Sequence, residues 1–565
     1  MIVAAWAGLL TAPVHLAPAD SSATDSGGSQ KPVFEEWVVV VLDGSPCGHG
    51  STITTAVDTP SGPGFRTVHE EEFVAKRDNE QFEINESSTI TEDSDGGVLD
   101  FVETTSGKGS NVEMKGTREG DDLVVTSRGQ TARFHVPRLD ALGPEKVRRL
   151  CNAVPLKPGQ TYSFNTFSSE YPQASVVEDG TVVKEEIRAV RGNVRKLWKI
   201  VSETSMTPGM LSTSWVDDQS NDVENLTVIP GIGDLHEYVT DRAEALRPPK
   251  GAEIFTNDLI RPQQALPSPH DLGQAVYRLS TVDLDKKIDV WNQGEQQILS
   301  TEPGSCEVQV TSQPISPDDV DWQLPHEDTP ELHPYLQSST YLEVNSIRIQ
   351  ALARLAVGQE QNPVRAAHKI EDFVRAFITK KDLKVAFASA DETAKSREGD
   401  CTEHAVLCAA LGRAAGLPTR CVVGFGYLPP GEDNPAVGSG AGSDTGAFGF
   451  HMWAEAWVWP DEWVPMDAAL DGFDVGHIAV VKTALSEINP LVDLNAPILQ
   501  MMENMHIEVL KTVDRKDMPP VPHRIAHVKP SPAPEASAHF SPAPAAAPVP
   551  PVYVAPAAAP TSPPD

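Results

Sequence analysis

The sequence predicts a multidomain chain: an N-terminal, mostly antiparallel β-rich region, then an α+β core, then a disordered Pro/Ala-rich tail. Three observations carry this. Short β-like runs separated by turn residues fill the stretch from Val33 to Pro248. From Ser346 the apolar period changes to three and four residues and strand candidates follow, the helices-then-strands order of an α+β unit. From Pro519 about a third of the residues are proline and most others Ala, Ser or Val, a composition that buries too little to fold. The 565 residues correspond to three or four units at ~150 residues each.

Met1 to Leu10 is apolar and Ala17-Pro18-Ala19 offers small residues at a cleavage position, so residues 1–19 read as a signal peptide. No Lys or Arg precedes Lys31, a departure from the usual positive start. The expected location is therefore outside the cytoplasm: periplasm, cell envelope or extracellular space. Residues 20–32, rich in Ser, Asp and Gly, form a linker. Residues 33–250 form the β-rich domain, with Asp43-Gly44, Arg128-Gly129 and Asp179-Gly180 as turn signals. The alternation does not choose between sandwich, barrel and open curved sheet. A second β segment spans 270–330, ending in the acidic, proline-rich run Pro314 to Pro334. The α+β core spans 340–485, residues 486–512 suggest a short helical extension, and 519–565 are the tail.

The net charge of −35 excludes nucleic acid as a partner, because phosphate binding needs clustered Lys and Arg. No apolar run approaches the ~20 residues of a spanning helix, so no integral membrane segment is expected. The run Glu70-Glu71-Glu72 reads as a solvated face or strand flank. Six cysteines in a chain of this length make no disulfide framework, although a bridge among Cys47, Cys151 and Cys306 stays open.

Cys401 carries the chemistry. Gly399 and Asp400 precede it as breaker and N-cap, and an apolar helix follows to Gly416. A helix N-terminus with a histidine partner lowers a thiol pKa, and its free N–H groups suit an oxyanion. His451 opens a strand and Asp467 closes the returning one. A hairpin centred near residue 459 sets the two opposite each other on one face. Cys401, His404 and Cys408 share a helix face, a weak metal pattern that lacks a fourth ligand. Glu403 and Glu455 are alternative catalytic carboxylates, although Glu455 reads better as a polar neighbour on the His451 face. Trp453, Trp457, Trp459 and Trp463 suit a core better than a groove.

The motifs Gly399-Asp400-Cys401-Thr402-Glu403-His404-Ala405, Ala414-Ala415-Gly416-Leu417-Pro418-Thr419-Arg420, His451-Met452-Trp453-Ala454-Glu455 and Trp463-Val464-Pro465-Met466-Asp467 occur in that order. Together they resemble the bacterial transglutaminase-like family, over roughly residues 340–480. The resemblance implies a papain-like thiol fold, with Cys401 as nucleophile, His451 as general base and acid, and Asp467 as orienting carboxylate. It implies thiol-dependent acyl transfer or hydrolysis at amide bonds of a protein or peptide substrate through a thioester, with no cofactor and no metal. Hydrolysis is slightly favoured. The alternative is an inactive envelope scaffold on the same fold. The Gly/Ser-rich segment Pro429 to Phe450 departs from the shortest form of the motif and reads as a loop near the site entrance.

Overall fold

The computed structural model describes residues 31–77, 80–107, 110–229, 232–253, 259–281, 287–380, 387–430, 445–459, 462–486 and 505–519. The stretch 1–19 expected as a signal peptide, nearly all of the expected 20–32 linker, residues 431–444 of the Gly/Ser-rich segment and residues 487–504 lie outside them. So does the tail beyond residue 519.

The N-terminal region is one large sheet. Its strands are β1 (Phe34–Leu42), β2 (Ser45–Thr59), β3 (Gly62–Arg77), β4 (Glu80–Asp93), β5 (Val98–Gly107), β6 (Ser110–Glu119), β7 (Asp122–Ser127) and β8 (Gln130–His135). After helix α1 (Pro144–Asn152) come β9 (Thr161–Thr166), β10 (Val176–Val190), β11 (Asn193–Thr204), β12 (Leu211–Val216), β13 (Asp222–Ile229) and β14 (Gly233–Thr240). A short helix α2 (Arg242–Ala245) and strand β15 (Ala252–Glu253) close the region. Strand order is β8-β7-β6-β5-β4-β3-β2-β1-β14-β13-β12-β11-β10-β9, antiparallel throughout, with β15 added parallel to β3. Three of its hairpins turn on a residue–glycine pair with both φ positive: Asp43-Gly44, Arg128-Gly129 and Arg191-Gly192. That is the two-residue turn whose twist matches the flanking strands.

Register shows what this sheet encloses. Glu36 pairs with Thr52, Thr52 with His69, and Glu71 with Glu86, while Glu237 pairs with Val40 two places from Val38. Because side chains alternate, Glu36, His69, Glu71, Glu86 and Glu237 lie on one face, and Glu71, Glu86 and Glu237 are buried there. The expectation of a solvated Glu70-Glu71-Glu72 face is corrected for Glu71, which is 5% exposed. A charge run on a strand splits between two faces, and this sheet buries one of them.

Strands β16 (Leu272–Ser280), β17 (Gln296–Glu302) and β18 (Ser305–Thr311) form a second sheet, completed on the β16 edge by β23 (His506–Asp514). This overturns the helical reading of residues 506–512. Ile507 and Val509 are buried while Glu508 pairs with Arg278 across the strands, a period of two. All six cysteines are free thiols.

The core is an α+β unit of four helices followed by four strands. Helices α3 (Ile347–Val357), α4 (Pro363–Phe377), α5 (Ala390–Ser396) and α6 (Cys401–Ala414) precede β19 (Thr419–Leu428), β20 (Ala447–Trp459), β21 (Glu462–Met466) and β22 (His477–Thr483). The strands form an antiparallel sheet in the order β21-β20-β19-β22. Helix α6 is buried from Thr402 to Arg413, and its core cluster continues into α3, α4, β19 and β20. No described helix is long and apolar enough to cross a membrane.

Candidate active site

Cys401 is the first residue of α6, and the turn before it is fully specified. Asp400 Oδ1 accepts the Thr402 N–H at 2.8 Å, and Glu403 Oε2 accepts the Asp400 N–H at 2.9 Å, a capping box. Glu403 Oε1 also takes the Ala388 N–H at 2.8 Å. Glu403 is thus a structural clamp, and it is fully buried. Gly399 has φ +152°, and a Cβ there would meet the Glu403 side chain at 2.3 Å. His404 points back into its own helix, Nδ1 to the Asp400 carbonyl at 2.6 Å.

Helix α6 packs against β20, and the Met452 N–H donates to Cys401 Sγ. The residue before Met452 is His451. Its Nε2–H donates to Asp467 Oδ2 at 2.8 Å, leaving Nδ1 as the acceptor of the neutral ring. The hairpin register differs from the sequence expectation. Ala454 pairs with Met466 and Trp457 with Trp463, then a bulge shifts Trp459 onto Glu462. Asp467 therefore follows Met466 two places along from the position opposite His451. A two-residue offset keeps both side chains on one face, and the pair meets diagonally.

Asp467 is saturated. Oδ1 accepts the Ala469 and Leu470 N–H groups at 3.0 and 3.2 Å, and Oδ2 accepts His451 and a second histidine, His477, at 2.9 Å. Its backbone is held from α4: the Asp467 N–H donates to Glu371 Oε1 at 3.2 Å and Arg375 Nη2 donates to its carbonyl at 2.9 Å. Burial works against ionising Asp467, but the two imidazoles outweigh it and hold the carboxyl well below its usual range. Cys401 behaves differently. Burial pushes the thiol up and the adjacent Asp400 charge adds to it. The sequence expectation of a thiol lowered by a helix N-terminus with a histidine partner is thus opposed by burial and by Asp400.

Residues beyond the motif positions complete the site. Gly424 and Gly426 on β19 lie between His451 on β20 and His477 on β22. His477 Nδ1 meets Asp474 Oδ1 at 3.1 Å, so both its ring nitrogens face carboxylates. No sequence motif marks His477; the available signal was the pair of glycines one strand away. Glu455 is buried between Arg420 and Lys482, each at 2.8 Å. Trp453 is buried beside His477, and Trp463 lies over the Arg420 guanidinium at 3.9 Å.

Among the described residues, the ligand-type atoms that gather closely are those of His451, Asp467 and His477, within 4.8 Å of one another. The two imidazole N–H groups already converge on one carboxylate oxygen, a hydrogen-bonded arrangement. Cys401, His404 and Cys408 form no such cluster among those residues.

Residues 350–468 match the model of the Transglutaminase-like superfamily, so the chain carries a transglutaminase-like domain there. No curated protein matches. Among solved structures the chain is similar to a proposed cysteine protease from Cytophaga hutchinsonii, at 17% identity, covering 44% of this chain and 92% of that one, with a TM-score of 0.30. A β-barrel-like protein from Brucella abortus matches at 14% identity over 37% and 95%, TM-score 0.28. The periplasmic domain of TgpA from Pseudomonas aeruginosa, bound to ethylmercury, matches at 17% over 37% and 88%, TM-score 0.22.

Proposed function

We propose that this protein is a thiol-dependent acyl transferase or hydrolase acting on amide bonds of proteins or peptides outside the cytoplasm. The observation that carries the reading is the bond from His451 Nε2 to Asp467 Oδ2 on the strand whose next N–H, that of Met452, donates to Cys401 Sγ. In the reaction, Cys401 Sγ attacks the amide carbonyl carbon while His451 Nδ1 takes the thiol proton. The tetrahedral oxyanion forms beside the N-terminus of α6, whose positive end favours developing negative charge. Its collapse breaks the C–N bond, and His451 gives its proton to the departing amine. Water or a second amine then attacks the thioester, His451 takes the attacking group's proton, and the thiol regains it as the acyl product leaves. Asp467 stays ionised throughout and fixes the ring's orientation.

A library of glutamine-containing peptides, incubated with and without a primary amine and read by mass spectrometry, tests this reading. Cleavage, deamidation or amine incorporation that disappears in Cys401→Ala supports it. Identical product spectra for the two proteins across the library would overturn it.

A further inference from the structure

We propose that His477 is a positioning residue of this site: it pins Asp467 from the side opposite His451 and carries a positive charge that offsets part of the carboxylate's pull on the His451 ring. The inference rests on reading Cys401 and His451 as a nucleophile–base pair. His477 opens β22 and pairs with Gly426, while His451 on β20 pairs with Gly424. The three strands put both histidines on one face, and the side-chain-free β19 positions between them let the rings approach to 5.5 Å between centroids. Both Nε2–H groups end on the same atom, Asp467 Oδ2.

The other side of His477 decides its charge. Nδ1 faces Asp474 Oδ1, and Asp474 in turn receives the Gly476 N–H at 2.7 Å and lies 3.3 Å from half-exposed His270. Carboxylates at both ring nitrogens favour the doubly protonated imidazole over the neutral ring that would accept the Asp474 N–H, 3.2 Å from Nδ1, and His477 is pushed up to about 10: burial opposes its charge, and Asp467 and Asp474 outweigh burial. The other charged groups around Asp467 come from α4. Glu371 meets the Asp467 N–H and is paired with Arg375 and His368, and Arg375 reaches the Asp467 carbonyl. From β16, Tyr277 donates its hydroxyl to the Val475 carbonyl. From α6, Cys408 is a buried thiol. The nearest walls of the His477 ring are Phe473 at 4.8 Å and Trp453 at 5.2 Å.

A single Asp–His pair leaves the carboxylate's full field on the base and favours its protonated, inactive form. A fixed cation on the shared oxygen cancels part of that field while Asp467 keeps its orienting bond. His477 is therefore a positioning group, acting on Cys401 through Asp467 and His451.

The test is the pH profile of Cys401 alkylation by iodoacetamide, read on the Cys401 peptide in the full chain. His477→Gln keeps an N–H donor toward Asp467 and removes the charge. Its acid limb is expected at higher pH than wild type by about one to two units, the effect of a unit charge at this separation in a partly screened interior. A folded His477→Gln protein whose acid limb coincides with wild type overturns the inference, provided His451→Gln does alter the profile. If His451→Gln leaves Cys401 unaffected, the nucleophile–base reading falls and the inference with it. Should His477→Gln not fold, imidazole nitrogen shifts of the wild type decide. Both His477 nitrogens protonated from pH 6 to 9 supports the proposal, and a neutral His477 in that window overturns it.

Discussion

Gly426 and His451 are complementary in shape: a Cβ on Gly426 would lie 2.9 Å from Cγ of the His451 ring. The glycine is thus a packing requirement of the imidazole, and its φ is not what demands it. Gly426→Ala pushes the ring away from Asp467 and from the Cys401 side of the sheet. Overpacking of this kind costs about 1–3 kcal/mol, and a displaced base costs more than about tenfold in rate. The paired position supplies the control. At Gly449 a Cβ meets only the ends of the Leu259 and Leu428 side chains, at 3.1 and 3.8 Å. Cys401-dependent turnover should collapse in Gly426→Ala and change little in Gly449→Ala; equal activities would refute the steric role.

Glu455 was a candidate catalytic carboxylate by its place on the His451 strand. Its surroundings assign it to stability. It is fully buried between Arg420 from β19 and Lys482 from β22, and Lys482 also meets Glu295. One carboxylate thereby ties three strands of the core sheet. Burial would raise its pKa, but Lys482 and Arg420 bring it down to about 2. The sign follows: the contribution is present above the ordinary carboxylate range and disappears as pH falls through about 2. Removing one partner of a buried pair costs about 3–5 kcal/mol. A denaturant melt of Glu455→Gln at pH 7 should show a loss of that order, and a loss under about 1 kcal/mol would contradict it.

The large sheet gives the opposite pH dependence. Glu71 and Glu86 are directly opposed on β3 and β4, and like charges in that position repel. Burial, then the charges of Glu103 and Glu71, push Glu86 well above its usual range. Burial likewise holds Glu36 and Glu237 at about 8 and Glu103 at about 7. The folded sheet therefore binds protons that the unfolded chain releases above the usual carboxylate value. Its stability is complete at low pH and declines as pH rises toward 8. The thermal midpoint should fall by about 5 °C or more between pH 5.5 and 8.5. Glu86→Gln should flatten that slope, and an unchanged slope would dissociate the cluster from it.

What was legible in the sequence had local cause. The Asp43-Gly44 and Arg128-Gly129 turns, the cap at Asp400 and the ordered Cys401, His451 and Asp467 motifs each depend on neighbours a few residues away, and those residues are found in those settings. Asp179-Gly180, expected as a turn, instead lies inside β10, paired on both sides. The hairpin parity survived a two-residue register error because a strand face repeats every second residue. His477 and the burial of Glu71 were not legible, since each depends on strands distant in sequence. His477 faces Asp467 only because β22 pairs with β19. The helical reading fails over residues 506–512 because a short alternating run means little until its partner, β16, is known.

The resting state of Cys401 is the property on which local sequence and tertiary environment disagree most. The helix terminus and the Met452 N–H favour a thiolate, while burial, foremost, and the Asp400 charge push the thiol up, and the balance is a raised value. An acid whose pKa is raised stays protonated until higher pH, so the free protein at neutral pH should hold a thiol that ionises by handing its proton to His451. Iodoacetamide should then modify Cys401 at pH 7 more slowly than a cysteine in an unstructured peptide, with the rate climbing as pH passes above about 9. Cys408, buried more deeply in the same helix, should be slower still. Cys401 alkylation faster than the peptide at pH 6 would instead establish a thiolate–imidazolium pair at rest, and general-base activation by His451 would have to be abandoned.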